Sequence, residues 1–169
     1  MTRTYPPMAA DERTTLVTWL DFHRETLAKK CAGLSDEQLR RRAVSPSDLS
    51  LLGLVRHLTE VEQSWFGIVF LGRADELPYS SEAEPDEDLL GDPDGLDVTV
   101  NEVFRAWQRE CDEAREIVAA ASLDDRAPEG RWGQEVSLRW ILVHMVEEYA
   151  RHNGHADLLR QTLDGTTGA

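Results

Sequence analysis

The chain has 169 residues, 41% of them hydrophobic, and a formal net charge of −14. This length predicts one domain, 1–169, with a sizeable core. The acidic balance disfavours nucleic acid and anionic membranes as partners, because both require surfaces rich in Lys and Arg. No apolar run reaches the roughly 18 residues of a membrane-spanning helix, and the N-terminus lacks the apolar segment of a secretion signal. We therefore expect a cytoplasmic protein.

Apolar residues recur at helical spacing in four long stretches. These stretches predict helices over about 10–32, 48–71, 97–121 and 137–163. A capping-box pattern from Ser35 to Gln38 predicts a short helix after the first long one. Ser137 is a suitable N-cap for the fourth long helix. Gly154 weakens that helix by roughly 1 kcal/mol relative to Ala, which suggests close approach of a neighbouring group.

The second long helix has an apolar stripe that we expect in the core. Its members are Leu54, Leu58, Val61, Trp65 and Ile68. The following segment, 72–96, is acidic, rich in Pro and Gly and without periodicity, so we predict a loop. A loop of this length is unusual in a compact domain; it could cover a pocket, although an exposed linker fits equally well. The whole pattern favours an all-α, four-helix bundle with this long loop between the second and third helices.

The fourth helix carries ionisable side chains on the stripe that should face the core. Glu148, His152 and His155 fall between apolar residues of that stripe. A buried carboxylate is costly unless it is paired or bound to a metal. Glu148 and His152 are four residues apart and therefore project from successive turns toward one point. His57, at the margin of the second helix, could supply a third ligand.

Two imidazoles and one carboxylate suit zinc, while nickel, manganese or iron remain possible. Three protein ligands leave a coordination position open for water or a thiol. His144, one turn before Glu148, and His155 are the candidate catalytic side chains, with His155 a less favoured ligand. A metal-free hydrogen-bond network of the same residues is the alternative.

Two segments resemble the DinB-like superfamily. They run from Leu54 to Phe66 (LVRHLTEVEQSWF) and from Ser137 to Arg160 (SLRWILVHMVEEYARHNGHADLLR). They are most similar to the branch that contains mycothiol-dependent maleylpyruvate isomerase and the mycothiol or bacillithiol S-transferases. The resemblance implies a four-helix bundle with an interior divalent metal, often zinc. The ligand positions of the family match His57, Glu148 and His152.

The resemblance also implies a metal-dependent transferase. A low-molecular-weight thiol such as mycothiol would bind the metal as thiolate and attack an electrophilic substrate. Many members have His where this chain has Glu148, and the Glu form resembles the mycothiol-dependent isomerase. Many also carry Arg-Gly-Gln after the last ligand, where this chain has Asn153-Gly154-His155. Arg139 and Arg160 are candidates for binding the thiol or substrate.

Other functions fit the same residues. A hydrolase with metal-bound water would use the same three ligands, and thiol dependence of turnover would distinguish it from a transferase. A metal-binding stress protein or scaffold would keep its fold after chelation. A 2-His-1-carboxylate iron oxygenase is a weaker alternative, because such sites are usually built on β-barrels. Bundles of this kind often dimerise, so a homodimer is possible.

Overall fold

The computed structural model describes residues 4–81, 83–84, 86–90 and 98–167, and this part of the chain is helical without strands. Its helices are α1 (Glu12–Cys31), α2 (Asp36–Arg40), α3 (Leu51–Glu62), α4 (Glu87–Leu90), α5 (Val100–Ala120) and α6 (Leu138–Asp164), and a π-helical segment (Gln63–Phe70) continues α3. Helix α1 packs mainly against α6, and α3 packs against α5 and α6. The predicted four-helix bundle is thus confirmed. None of the described helices is long and apolar enough to cross a membrane.

Polar side chains set the starts of the helices. The Ser35 hydroxyl accepts a hydrogen bond from the backbone N–H of Gln38, and the side-chain oxygen of Gln38 accepts one from the backbone N–H of Ser35. The predicted capping box is therefore present. Ser137 likewise accepts from the backbone N–H of Trp140 at the start of α6. Gly165, with φ of 77°, ends α6 in the left-handed conformation that glycine adopts without strain. The long helices therefore begin and end close to their predicted limits.

The π-helical segment changes the predicted core of the second helix. A bond from the backbone N–H of Leu71 to the carbonyl of Phe66 spans five residues, at 3.2 Å. The wider turn rotates the buried face, so Phe66 and Val69 are buried, whereas Ile68 is only half-buried. The prediction of Ile68 as a core residue was wrong for this reason. The segment places buried Trp65 beside α6, at the site described below.

The segment predicted as a loop contains a helix. Helix α4 lies within 72–96 and packs against α3. A Cβ atom at Gly53 would lie 2.5 Å from the carbonyl oxygen of Leu89, so only glycine permits this close approach. The prediction of an aperiodic loop was therefore wrong for residues 87–90. A single helical turn is too short to show periodicity, and tertiary contacts hold it.

A buried carboxylate anchors the first part of the same segment to α3. Glu60 accepts hydrogen bonds from the backbone N–H groups of Tyr79, at 2.5 Å, and Ser80, at 2.8 Å. The Ser80 hydroxyl donates to the other carboxylate oxygen at 2.5 Å. These bonds satisfy a carboxylate that would otherwise be costly to bury. The predicted loop residues 82, 85 and 91–96 lie outside the described residues, as does residue 97, the predicted start of the third long helix.

A polar network crosses the interior of the bundle away from the candidate metal ligands. Arg24 of α1 donates two hydrogen bonds to Glu62 of α3, at 2.7 and 2.6 Å. Tyr149 of α6 donates to Glu62 at 2.7 Å and accepts from the indole N–H of Trp107 at 2.8 Å. The Cys111 thiol lies 3.6 Å from Glu62, and burial raises its pKa. This network joins all four long helices, and the raised pKa argues against Cys111 as a nucleophile.

Among the described residues, Gly154 has no neighbour that would explain it. Apart from its chain neighbours and the backbone of its own helix, none of their heavy atoms lies within 4 Å of a Cβ built at this exposed position, so the predicted close approach was wrong. We expect Gly154→Ala to stabilise the protein by about 0.5–1 kcal/mol, because alanine lowers the backbone entropy of the unfolded chain. Thermal unfolding followed by circular dichroism would show a higher Tm. A lower Tm would mean that the glycine has a structural role.

Candidate metal centre

Helices α3 and α6 bring the three predicted ligands together. His57 lies on α3, and Glu148 and His152 lie one turn apart on α6. Glu148 Oε2 is 3.4 Å from His152 Nε2 and 4.0 Å from His57 Nε2. One ligand atom from each residue lies within 4.8 Å of the others. Donor atoms around a tetrahedral zinc ion lie roughly 3.3 Å apart, because each bond is about 2.0–2.2 Å long. A small contraction would therefore create a three-ligand site.

The charges of these groups are coupled. The nearby imidazoles of His152 and His57 hold the pKa of Glu148 well below its usual value, although burial opposes them. Burial disfavours the charged form of His57, but the carboxylates of Asp88 and Glu148 outweigh it and raise its pKa to about 9. The arrangement therefore attracts positive charge. A divalent ion bound there would replace the proton of His57, because the ligand form of histidine is neutral.

Asp88 of α4 joins the candidate site, and it was not among the residues predicted from the sequence. Its Oδ2 lies 2.7 Å from Nδ1 of His57, the ring nitrogen opposite the one that faces Glu148. A carboxylate on the second nitrogen fixes the tautomer and orientation of a metal-binding imidazole. The acidic composition of 72–96 was the only available indication, and it did not single out one carboxylate. Asp88 therefore makes α4 part of the candidate centre.

We expect Asp88→Asn to weaken divalent-metal affinity by about 10- to 100-fold, the usual effect of removing such a partner. The amide keeps the shape of the side chain but loses the charge that orients His57. Competition with a zinc-sensitive dye would measure the affinity. Asp86→Asn is the matched control, because it makes the same change on an exposed residue of the same segment. Equal losses in both variants would contradict an orienting role.

His144 lies at the margin of the centre between aromatic rings. Its Nε2 is 3.6 Å from Glu148 Oε1. Its ring stacks on Trp140, with centroids 5.1 Å apart, and meets Trp65 edge-to-face at 4.5 Å. Burial lowers its pKa, while Glu148 opposes the shift. A neutral imidazole in this position can accept a proton near neutral pH. His144, Glu147 and Glu148 also form a second group with metal-ligand spacing.

The other predicted site residues differ in their relation to the centre. His155 Nδ1 lies 3.4 Å from His152 Nδ1, so His155 borders the ligands. Arg139 donates to Glu12 at 2.8 Å and contacts Asp124. Arg160 donates to the carbonyls of Lys30 and Ala32, at 2.9 and 2.8 Å, and pairs with Asp164. The structure thus brings His155 to the centre, whereas both arginines have partners elsewhere. Their role in thiol binding stays a prediction.

The bundle and the spacing of its ligands agree with a known family. The sequence profile of the family described as mycothiol-S-transferase matches residues 15–165. The chain belongs to this family. The resemblance to the DinB-like superfamily is thereby confirmed, and a function like that of the mycothiol S-transferases is supported. No curated protein matches the chain.

A solved structure shares the fold of this mycothiol-S-transferase family member. It is described as the crystal structure of the conserved protein of locus from Enterococcus faecalis. It matches with a TM-score of 0.60 and 14% sequence identity over 94% of this chain and 100% of that chain. At this identity the likeness concerns the fold alone.

Proposed function

We propose that the protein is a divalent-metal-dependent S-transferase that joins a low-molecular-weight thiol, such as mycothiol, to an electrophilic small molecule. The observation that carries the proposal is the convergence of His57, Glu148 and His152 in a member of the mycothiol-S-transferase family. Three ligands leave room for a thiol, which a closed four-ligand site would not. Zinc suits this donor set best, with nickel, manganese and iron as alternatives.

The metal would supply one chemical effect: it lowers the pKa of a bound thiol and so favours the thiolate at neutral pH. The protein supplies the acceptor for the thiol proton. His144 is neutral near pH 7, and its Nε2 faces Glu148, whose negative charge would stabilise the protonated ring. The sulfur then forms a bond to the electrophilic carbon, and the leaving group departs with the electron pair of the bond that breaks.

Mycothiol and 1-chloro-2,4-dinitrobenzene test this proposal. We expect the zinc-loaded protein to form the thioether and release chloride at a rate that requires both mycothiol and metal. Removal of the ion with a chelator should abolish the enzymatic rate. Turnover of ester or amide substrates without thiol would instead favour the hydrolase. A protein that binds no metal, or that shows no turnover with the ion bound and keeps the same Tm after chelation, would favour the scaffold.

We expect His144→Gln to lower kcat by about 100-fold, the lower end of the usual effect of an acid–base group. Glutamine preserves polarity but cannot carry the proton. Metal content and Kd for the ion serve as the control and should not change, because His144 is outside the proposed ligand set. Loss of metal in this variant would place the ion in the second group, with Glu147 and Glu148.

A further inference from the structure

A cluster of three indoles and one guanidinium lies beside the candidate metal centre. We call it the indole platform: Trp65, Trp132, Trp140 and Arg131. The ring of Trp65 lies 5.8 Å from that of Trp132 and 5.3 Å from that of Trp140, between centroids. The Arg131 guanidinium lies 5.0 Å from the Trp65 ring and 5.1 Å from the Trp132 ring. Trp132 is 74% exposed and Trp140 46% exposed, so the platform has a free face.

The loop that carries Trp132 is held in a defined shape. Arg131 and Gln134 exchange backbone hydrogen bonds of 2.9 and 3.0 Å across a tight turn. Gly130 has φ of 67°, and a Cβ there would overlap the carbonyl of Gln134, so the turn requires glycine. Trp132 itself has φ of 51°, a region that a bulky side chain rarely adopts. Such strain together with exposure is typical of functional sites.

Arg131 has no acidic partner among the described residues, although the chain contains 32 Asp and Glu residues. Its buried Nε has no hydrogen-bond partner within this described part of the chain, and burial lowers the pKa of the guanidinium. Neighbouring arginines differ: Arg126 pairs with Glu135, and Arg139 pairs with Glu12 and Asp124. A guanidinium stays charged in proteins, and a partly buried one without a carboxylate is complementary to an anionic ligand.

The platform is continuous with the candidate centre. His144 contacts both Trp65 and Trp140, at 4.5 and 5.1 Å between ring centroids, and its Nε2 lies 3.6 Å from Glu148. A ligand on the indoles would therefore reach toward the place where the sulfur is proposed to bind. Indole faces favour flat rings through offset or edge-to-face contacts.

We propose that the indole platform binds the electrophilic substrate, and that this substrate is a flat aromatic ring with an anionic group such as a carboxylate. The inference rests on the proposed function. Trp132 and Trp140 contact the faces of the ring, and Arg131 binds the anionic group. The thiolate sulfur attacks the ring carbon that carries the leaving group. The C–S bond forms, and the bond to the leaving group breaks, for example with release of chloride.

Two ligands of similar shape, one anionic and one neutral, test the inference: 4-chloro-3-nitrobenzoate and 4-chloro-3-nitrobenzamide. Isothermal titration calorimetry on the zinc-loaded protein without thiol measures binding alone. We expect the benzoate to bind about tenfold more tightly than the benzamide, as one charge-assisted hydrogen bond would give. Arg131→Gln should remove this difference. Trp132→Ala, at an exposed position, should weaken both ligands by a similar factor.

Arg126→Gln is the matched control, because Arg126 lies on the same loop and is paired with Glu135. It should preserve the preference for the benzoate. The inference is overturned if the unaltered protein shows no preference, or if Arg126→Gln removes it as fully as Arg131→Gln. It is also overturned if sedimentation shows a dimer that Trp132→Ala converts to a monomer, since the platform would then be a contact between two copies.

The binding assay separates this inference from the proposed function. Preferential binding of the benzoate without any thiol-dependent turnover would contradict the S-transferase but support the anion-binding platform. Thiol-dependent turnover of neutral 1-chloro-2,4-dinitrobenzene with no preference for the benzoate would support the transferase and overturn the platform.

Discussion

Glu148→Ala should reduce the metal content of the purified protein from about one divalent ion per chain to near zero, and thiol-dependent turnover should be lost with it. Glu148 is the only carboxylate of the proposed three-ligand set, and its Oε2 lies between the two imidazoles. Without it, two neutral nitrogen ligands remain, which is fewer than stable protein zinc sites provide. Elemental analysis of dialysed protein gives the metal content, and circular dichroism checks that the helices persist.

Glu147→Ala is the matched control for this experiment. Glu147 is the adjacent residue, but it is more exposed than Glu148 and pairs with Arg151. It also belongs to the second group with ligand spacing, which includes His144. Retention of metal in Glu147→Ala and its loss in Glu148→Ala would support the proposed set. Full occupancy in the Glu148→Ala protein would contradict it.

The second large effect is a loss of stability when the polar network around Glu62, inside the bundle, loses Arg24. We expect Arg24→Met to lower the free energy of unfolding by about 3–5 kcal/mol, because it leaves a buried carboxylate without its counter-charge. Glu62 has a fully buried side chain, and Arg24 supplies both of its charge-assisted bonds. Chemical denaturation with urea would measure the change. The proposed metal ligands are not part of this network, so metal binding to the folded variant should persist.

Two further variants test the cause of this loss. Arg24→Met combined with Glu62→Gln should recover much of the stability, because the amide removes the uncompensated charge but keeps polar contact with Tyr149. Arg115→Ala breaks exposed ion pairs with Asp21 and Asp112, and it should cost less than about 1 kcal/mol. A loss in Arg115→Ala as large as that in Arg24→Met would mean that burial is not the reason.

The bundle could be predicted from sequence because each long helix carries apolar residues at helical spacing. Trp107, Cys111 and Val118, which recur at helical spacing on α5, are buried. The convergence of Glu148 and His152 followed from their spacing of four on α6. The placement of His57 opposite them depends on the packing of α3 against α6. Its position at the margin of the second helix made it a candidate, and the family resemblance indicated the same residue. These side chains do come together in the structure, while their role as ligands remains a proposal.

The features that the sequence did not reveal depend on contacts between distant parts of the chain. Asp88 is one acid among many in its segment, and its contact with His57 spans 31 residues. Gly53 permits the approach of α4 to α3, but in the sequence it is only a glycine inside a helix. The π-helical segment has the same apolar composition as an α-helix, so a uniform period of 3.6 residues misplaced Ile68. The hydrophobic period of a sequence describes one regular α-helix. It does not show the contacts that Asp88 and Gly53 make between two helices, or a departure from the regular helical turn.

The hydrogen bond between Asp88 and His57 links ion binding to the docking of a chain segment. Thermodynamic linkage is reciprocal: if docked α4 strengthens ion binding, the ion stabilises docked α4 by the same free energy. A protease that cleaves within α4, Glu87–Leu90, must first find this helix undocked. Metal loading should therefore slow cleavage there, and Asp88→Asn should remove that protection.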